Sequence, residues 1–555
     1  MPLLASRQTA RVAAGRLLQR QTSCLLSGKD PYLSTNGLAP PVWTHSVPLP
    51  LPFSFPPPTT PHITTPICIV GAGATGLHAA YELVSRGHAV TMLEARDVLS
   101  GESGRMEGGV SNLVVGGYHG LRERLGGETA GVVAEGLTWA RERVWEVAGT
   151  VGAAGARRVY EVVFGEDVAG LKEEEAVMAA LELDGRLEDN LAIPGWTDQP
   201  PLHGLVSPNQ LALHPTRYLT ALLTWLTTQP NFQCFTHTRA TSITENPISL
   251  LTPTHPALTI TTSIPTTIHA THAIEATSIP LQKLSIISTL TSLRTYHLAL
   301  PLPHPSTPDL LLHTPSPFPI SLSLTPRSPS SSYLLVSGSP HPVGQDPSTP
   351  HFLSLEEWAR ARVPSAGPTE YAWSSQSVMS PDGVGIVGRN PGSHRVMVYA
   401  ALAGRVLADE IEGRENGWAG VLSPARDGGL VKSFPGMVKH DVRINLGYER
   451  FVGGDVGEVE DLGRGEGGVL HAATSRPLAI YKDEEGKLHK YSALCPHMQG
   501  VVCWNAAEKT FDCPVHGSRF SREGLCLSGP AKEDLKPIDK TPGKEDDEYA
   551  SGSGM

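Results

Sequence analysis

Ile67-Cys-Ile-Val70 is followed at once by Gly71-Ala-Gly73-Ala-Thr-Gly76, then by Leu77, Ala80, Leu83 and Val84 at helical spacing. Gly87-His88 ends that stretch, and Ala89-Val-Thr-Met-Leu93 leads into Glu94. The order is strand, glycine-rich turn, helix, strand, with an acid eighteen residues beyond Gly76. Each glycine has a mechanical reason. Gly71 permits the tight turn, Gly73 lets backbone approach a pyrophosphate at the helix N-terminus, and Gly76 allows the helix to pack closely on the strand. Glu94 is placed to accept from ribose hydroxyls, and its charge disfavours a 2′-phosphate. A bare G-x-G-x-x-G is weak, and a glycine-rich turn in some other α/β protein is the competing reading. With both strands, the helix and the acid in place, the stretch predicts a dinucleotide-binding α/β unit.

A second motif lies near the C-terminus. Cys495-Pro-His497 is followed by fifteen residues and then by Cys513-Pro-Val-His516. One iron of a [2Fe–2S] cluster can take two thiolates and the other two imidazoles, so one Cys and one His from each of two facing loops suit it. Zinc is the alternative, although zinc-finger spacing pairs like ligands within a loop. Gly500, Trp504-Asn505, Gly517-Ser518-Arg519-Phe520, Gly524 and Gly529-Pro530-Ala531 surround the two loops. With these residues the region resembles the Rieske domain family, which implies a [2Fe–2S] cluster held by Cys495, His497, Cys513 and His516.

The 555 residues exceed one domain and can bury a large core. A net charge of −11 argues against a nucleic-acid partner, because no net basic field exists to release counterions. Cys24, Cys68, Cys234, Cys503 and Cys526 show no disulfide-framework spacing, which fits a reducing compartment. No run of eighteen apolar residues predicts a transmembrane segment. Residues 1 to 29 contain Arg7, Arg11, Arg16, Arg20 and Lys29 and no acid, the pattern of a mitochondrial presequence. A disordered extension of a cytoplasmic protein is the alternative. Residues 39 to 66 are rich in Pro and Thr and read as a linker outside any core.

Further elements extend the dinucleotide unit. Ser100-Gly-Glu-Ser103-Gly-Arg105 leads to a helix near Tyr118, and Leu213-His-Pro215 opens another. Thr238-Arg-Ala240-Thr-Ser-Ile243 and Ala273-Ile-Glu275-Ala-Thr277 read as strands. Tyr371 to Gln376 and Pro381 to Arg389 return to the nucleotide unit. Together these resemble the glycine oxidase/D-amino-acid oxidase superfamily of FAD enzymes, and more narrowly its members with a C-terminal Rieske domain. The resemblance implies FAD as cofactor, with Gly71, Gly73, Gly76, Glu94, Arg96, Ser103, Arg105 and Ala240 at its site. The expected fold class is α/β: a Rossmann-like FAD-binding domain with an interleaved antiparallel-sheet substrate domain, plus a C-terminal all-β Rieske domain. The expected boundaries are an extension at 1–64, the oxidoreductase domain at 65–412, a connector at 413–450, the Rieske domain at 451–540 and a polar tail at 541–555. Pro-Ser runs at 303–308 and 325–332 read as surface loops.

The sequence departs from the family after Tyr399. There Arg395 to Tyr399 reads as a strand that passes directly into a helix at Ala400 to Asp409. The family's flavin-covering loop, on the order of a dozen residues where a few suffice for a connection, is missing. The resemblance implies hydride removal from a carbon beside an amine nitrogen, a small-molecule substrate of amine or amino-acid type, and electrons leaving singly through the cluster to an unidentified partner. Enzymes of this type often use no side-chain base, so no catalytic residue is named. Val515 and Phe520 replace a Cys and a Tyr that some high-potential Rieske domains carry, which predicts a low-potential centre with Ser518 hydrogen-bonded to a cluster sulfur. Competing functions are a reductase component feeding an oxygenase, or a cluster carrier without flavin. A self-contained oxygenase needs two His and a carboxylate on one iron, and His237, His269 and His272 read as ordinary surface residues.

Overall fold

The computed structural model describes residues 30–47, 51, 53–193, 195–197, 202–246, 257–281, 284–287, 289–303, 309–314, 320–328, 330–391, 393, 395–398, 403–426, 455–471 and 476–538. The basic segment at 1–29 and the tail at 541–555 lie outside these residues, as do positions 304–308 and most of the connector.

Strand His62–Val70 runs through the middle of the first sheet. The order across that sheet is Gly388–Arg389, Val396–Val398, Thr267–Glu275, His62–Val70, Val90–Leu93 and Phe232–Phe235. From Val396–Val398 to Phe232–Phe235 every pairing is parallel. A parallel strand covered on both faces must be apolar throughout, and Ile67 to Val70 are all buried. Ile67 and Ile69 face the helices, including Leu77 and Leu83 of helix Ala74–Ser85. Cys68 and Val70 face Ala240, Ile243, Leu258 and Ile260 on the other side.

The chain leaves this unit and returns to it, and the excursions build a nine-stranded second sheet. Its pairings are antiparallel except where Leu310–His313 runs parallel to Arg157–Gly165. Strand Tyr371–Met379 pairs with Thr291–Leu302, which pairs in turn with Ser331–Pro342. Tyr296, Leu298 and Leu300 on one face pack with Phe352 and Leu355 of helix Ser348–Arg362. The run 325–332, expected as a loop, is instead largely strand. It spans the end of Ser321–Ser328 and the start of Ser331–Pro342, because Leu322 and Leu324 pair across to Val336 and Leu334 and carry the hairpin outward.

The C-terminal unit has two small antiparallel sheets, one of three strands and one of four. Its core gathers Val469, Tyr481, Phe511, Phe520 and the two motif cysteines. The turn Asp483 to Gly486 joins Leu478–Lys482 to Leu488–Ser492 as expected.

The described residues of the 39–66 stretch are not a linker outside the core. Ala39, Val42 and Trp43 are buried against Ala299, Tyr333 and Trp373 of the second sheet. Upstream, Tyr32 reaches the C-terminal unit, its hydroxyl donating to the carbonyls of Glu508 and Lys509. Downstream, Thr65 already belongs to strand His62–Val70. The Pro-rich composition hid this because the partners that bury the segment lie hundreds of residues away.

Candidate functional site

The glycine turn stands at the mouth of a cavity of about 500 Å³. Gly71 has φ +109°, and a Cβ there would sit 2.4 Å from the carbonyl oxygen of Ala276 on the neighbouring strand's exit. Only glycine tolerates both the backbone conformation and that approach. Glu94 follows strand Val90–Leu93 and braces the turn, accepting from the N–H of Ala72 at 2.9 Å and of Arg96 at 3.0 Å. Ser103 accepts the N–H of Ala74 at 2.8 Å, in the first turn of the helix that follows the glycines.

Gly71, Gly73, Glu94, Arg96, Ser103 and Ala240 all line this cavity, and Gly76 and Arg105 do not. Gly76 acts from behind: a Cβ on it would lie 1.9 Å from the carbonyl oxygen of Gly71, so it keeps the helix tight against the turn. Arg105 corrects the expectation of a cofactor contact. Its guanidinium is 1 % exposed and spends its donors on Ser374 O, Thr35 Oγ1, Ala39 O and Glu508 Oε1. The Arg96 guanidinium, although the residue lines the cavity, is spent on the carbonyls of Tyr32 and Thr35 and the side chain of Asn36. Two arginines expected at a cofactor therefore anchor the N-terminal segment.

Further walls come from Ser375, Gln376, Ser377 and Val378 of the second sheet and from Leu527, Ser528, Gly529, Ala531 and Lys532 of the C-terminal unit. A cavity lined by a glycine turn, a helix N-terminus and neutral polar groups fits FAD.

The C-terminal motif forms two facing loops. Each is closed by backbone hydrogen bonds: Cys495 N to Gly500 O at 2.9 Å in one, Cys513 N to Ser518 O at 2.7 Å in the other. Both cysteines are buried, and the rings of His497 and His516 lie 5.0 Å apart at 78°. The Cys495 thiol is pulled below its ordinary range by the Cys513 thiol and by donors from the His497 and Met498 backbone and the Ser518 hydroxyl. The Ser518 hydroxyl oxygen also accepts from Ala531 N–H at 3.0 Å. A Cβ on Gly500 would sit 3.2 Å from the sulfur of Cys513, so the first loop closes over the second.

Three ligands of a single ion crowd within about 4 Å of one another, given bonds near 2 Å. Among the described residues, no three of the four loop ligands lie within 4.8 Å of one another. That spread suits a two-iron cluster better than zinc. The Cys503 thiol donates to Asp512 O at 3.0 Å and to Gly344 O at 3.4 Å.

The loops are docked on the second sheet. Gln376 Nε2 donates to Gly517 O at 2.9 Å, and Ser292 donates to His516 O at 3.4 Å. Asp512 lies between Arg294 of the sheet, at 2.9 Å, and Arg519 of its own unit, at 2.8 Å. Burial opposes its charge, but the two guanidiniums prevail and hold its carboxyl below the ordinary carboxylate range.

One cluster escaped the sequence reading. His341, Asp346 and His351 bring two imidazoles and a carboxylate within 4.8 Å, and their even H-x4-D-x4-H spacing was the available signal. The two rings stack 4.5 Å apart at 12°, and His341 Nδ1 bonds its neighbour's carbonyl, Pro342 O, at 2.8 Å. Lone pairs lying in parallel planes do not converge on one ion, so this is a stacked pair and not a facial triad. His237 is exposed and pairs with Asp97 at 3.1 Å.

Comparison with known proteins agrees with the geometry. Residues 66–409 match the family model described as FAD dependent oxidoreductase (DAO), and residues 454–539 match the Rieske [2Fe-2S] domain. A curated relative from Bacillus subtilis (strain 168), "Putative Rieske 2Fe-2S iron-sulfur protein YhfW", is 27 % identical over 501 residues, covering 85 % of this chain and 93 % of its own. The fold of glycine oxidase from Geobacillus kaustophilus aligns with a TM-score of 0.52 at 16 % identity, over 66 % of this chain and 99 % of that one. L-proline dehydrogenase from P. horikoshii aligns with 0.54 at 13 % identity, over 65 % and 97 %. With its family model covering more than half of its length and a cluster-binding domain behind it, the chain belongs to the FAD dependent oxidoreductase (DAO) family and ends in a Rieske [2Fe-2S] domain.

Proposed function

We propose that the protein oxidises a small amine or amino acid and passes the electrons on, one at a time, through a low-potential Rieske centre. The supporting observation is adjacency. Gln376 lines the dinucleotide cavity, and its side-chain amide holds the carbonyl of Gly517, the residue after the ligand His516. FAD supplies two-electron hydride chemistry at the one site and the cluster supplies one-electron chemistry at the other.

The chain's own residues bind and orient. The glycine turn and Glu94 receive the dinucleotide, and Ser375, Gln376 and Ser377 offer neutral polar groups to a small polar substrate. His297 donates and accepts between Ser375 Oγ and Ser337 Oγ, each at 2.7 Å, and stacks on Trp373. Burial pushes its imidazole down to about 3, so it stays neutral and fixes the Ser375 hydroxyl without acting as a base. The structures that share this fold, glycine oxidase and L-proline dehydrogenase, are named for amino-acid substrates, which favours that class.

The low potential is supported by the apolar side chains of Val515 and Phe520, both buried by the cluster loops, where hydroxyl or thiol donors would raise it. Purified protein should carry flavin bands and a Rieske spectrum together, and anaerobic amino acids should bleach both. Cluster bands with no flavin would instead support an electron carrier. A redox titration should place the midpoint near the bottom of the Rieske range, about −150 mV, and a strongly positive value refutes the low-potential assignment. For residues 1–29 the reading remains a mitochondrial presequence, supported by five basic residues and no acid; fractionation that leaves the protein in the cytosol overturns it.

A further inference from the structure

Leu527, Ser528, Gly529, Ala531 and Lys532 of the C-terminal domain line the same cavity as Gly71, Gly73 and Glu94. The segment is clamped from three sides. Arg239, itself on the cavity wall, donates to Cys526 O at 2.6 Å. Cys526 N–H is held by Asp534 at 2.7 Å, and Ala531 N–H by Ser518 at 3.0 Å. Ser518 also accepts the N–H of the ligand Cys513 at its carbonyl, so one residue ties the cavity wall to the cluster loop.

Only four residues, 399–402, separate strand Val396–Val398 from helix Ala403–Ile411. Lys532 adds chemistry. It is half-buried on the cavity wall, and among the described residues its ammonium has no hydrogen bond or ion pair. Burial lowers its proton affinity, and the carboxylate of Glu275 pulls the other way. A partly desolvated cation without a paired carboxylate is costly unless a ligand supplies the negative charge.

We infer that the Rieske domain is a working part of the FAD site: its segment from Leu527 to Lys532 forms one wall of the cavity, and Lys532 supplies a counter-charge to the bound dinucleotide. The two domains then share one ligand and are not simply joined in sequence. The inference does not depend on which substrate is oxidised or on the direction of electron flow.

The test uses full-length protein stripped of flavin and titrated with FAD, followed by quenching of flavin fluorescence. Iron and sulfide content serve as the check that the cluster domain is folded. Lys532→Glu reverses the charge and Ser528→Trp fills the cavity from the same wall. Each should weaken FAD binding by about tenfold or more, while Lys532→Arg stays within about threefold of wild type. Iron content should match wild type in all three. If Lys532→Glu loses iron, Ser528→Trp decides alone. FAD affinity within about twofold of wild type in the iron-replete variants overturns the inference while leaving the flavin reading of the wild type intact.

Discussion

The two cofactor sites are built on opposite plans. All four cluster ligands come from residues 495 to 516, within one small all-β unit whose loops close on themselves. The dinucleotide cavity draws its walls from Asn36 near one end of the chain to Lys532 near the other. A local site needs only its own domain to fold. A distributed one exists only once the N-terminal segment, the two large sheets and the C-terminal unit have docked. Buried ion pairs at that docking surface, Arg105 with Glu508 and Arg294 with Asp512, set its register, since each charge is costly anywhere else.

The sharpest way to break this contrast is to remove a ligand. Cys513→Ala should abolish the cluster, with iron and sulfide falling to background, while bound flavin persists. Flavin lost in step with iron would mean that the cluster, and not only the fold around it, supports the cavity. Next in size is Gly71→Val, which forces a side chain into a left-handed backbone 2.4 Å from a carbonyl. It should empty the flavin site and leave the Rieske spectrum unchanged; retained flavin would show that the turn is not where the dinucleotide sits.

Arg105→Met probes the docking surface. It strands the carboxylate of Glu508, which is 0 % exposed, and should cost about 3–5 kcal/mol in chemical denaturation. A loss under about 1 kcal/mol, the scale of an exposed pair, would mean that water reaches the pair. The smallest effect concerns acid. Asp512 has a folded value depressed below its ordinary 3.8. Its contribution is therefore complete above pH 3.8 and disappears as pH falls through the lower folded value. Asp512→Asn should flatten the acid limb of the stability curve in that window and leave its slope near neutrality alone. An unchanged acid limb contradicts the depressed value.

What could be read in advance follows the same divide. Ile67 to Glu94 and Cys495 to His516 were legible because short-range geometry fixes them: a tight turn, a close helix, two loops with mixed ligands. Arg105 was misassigned because proximity to the glycine turn in sequence says nothing of Glu508, some four hundred residues later, which claims its guanidinium. Trp43 was missed because a Pro-rich context looks like linker, and only the fold reveals that Trp373 and Tyr333 wait to cover it. His341 and His351 were missed because a strand and a helix meet to stack them, an arrangement that periodicity within either element does not announce.

The embrace between Tyr32 and Glu508 carries a consequence for biosynthesis. The two residues stand 476 positions apart. At ribosomal rates of roughly 5–20 residues per second, Tyr32 emerges on the order of half a minute to a minute and a half before its partner exists. Trp43 can be covered once Tyr333 and Trp373 have been made, but Tyr32 waits through the whole of that interval. Tyr32 is thus among the last of the described residues able to settle, and the nascent protein must keep that ring from other partners until its C-terminal unit leaves the ribosome.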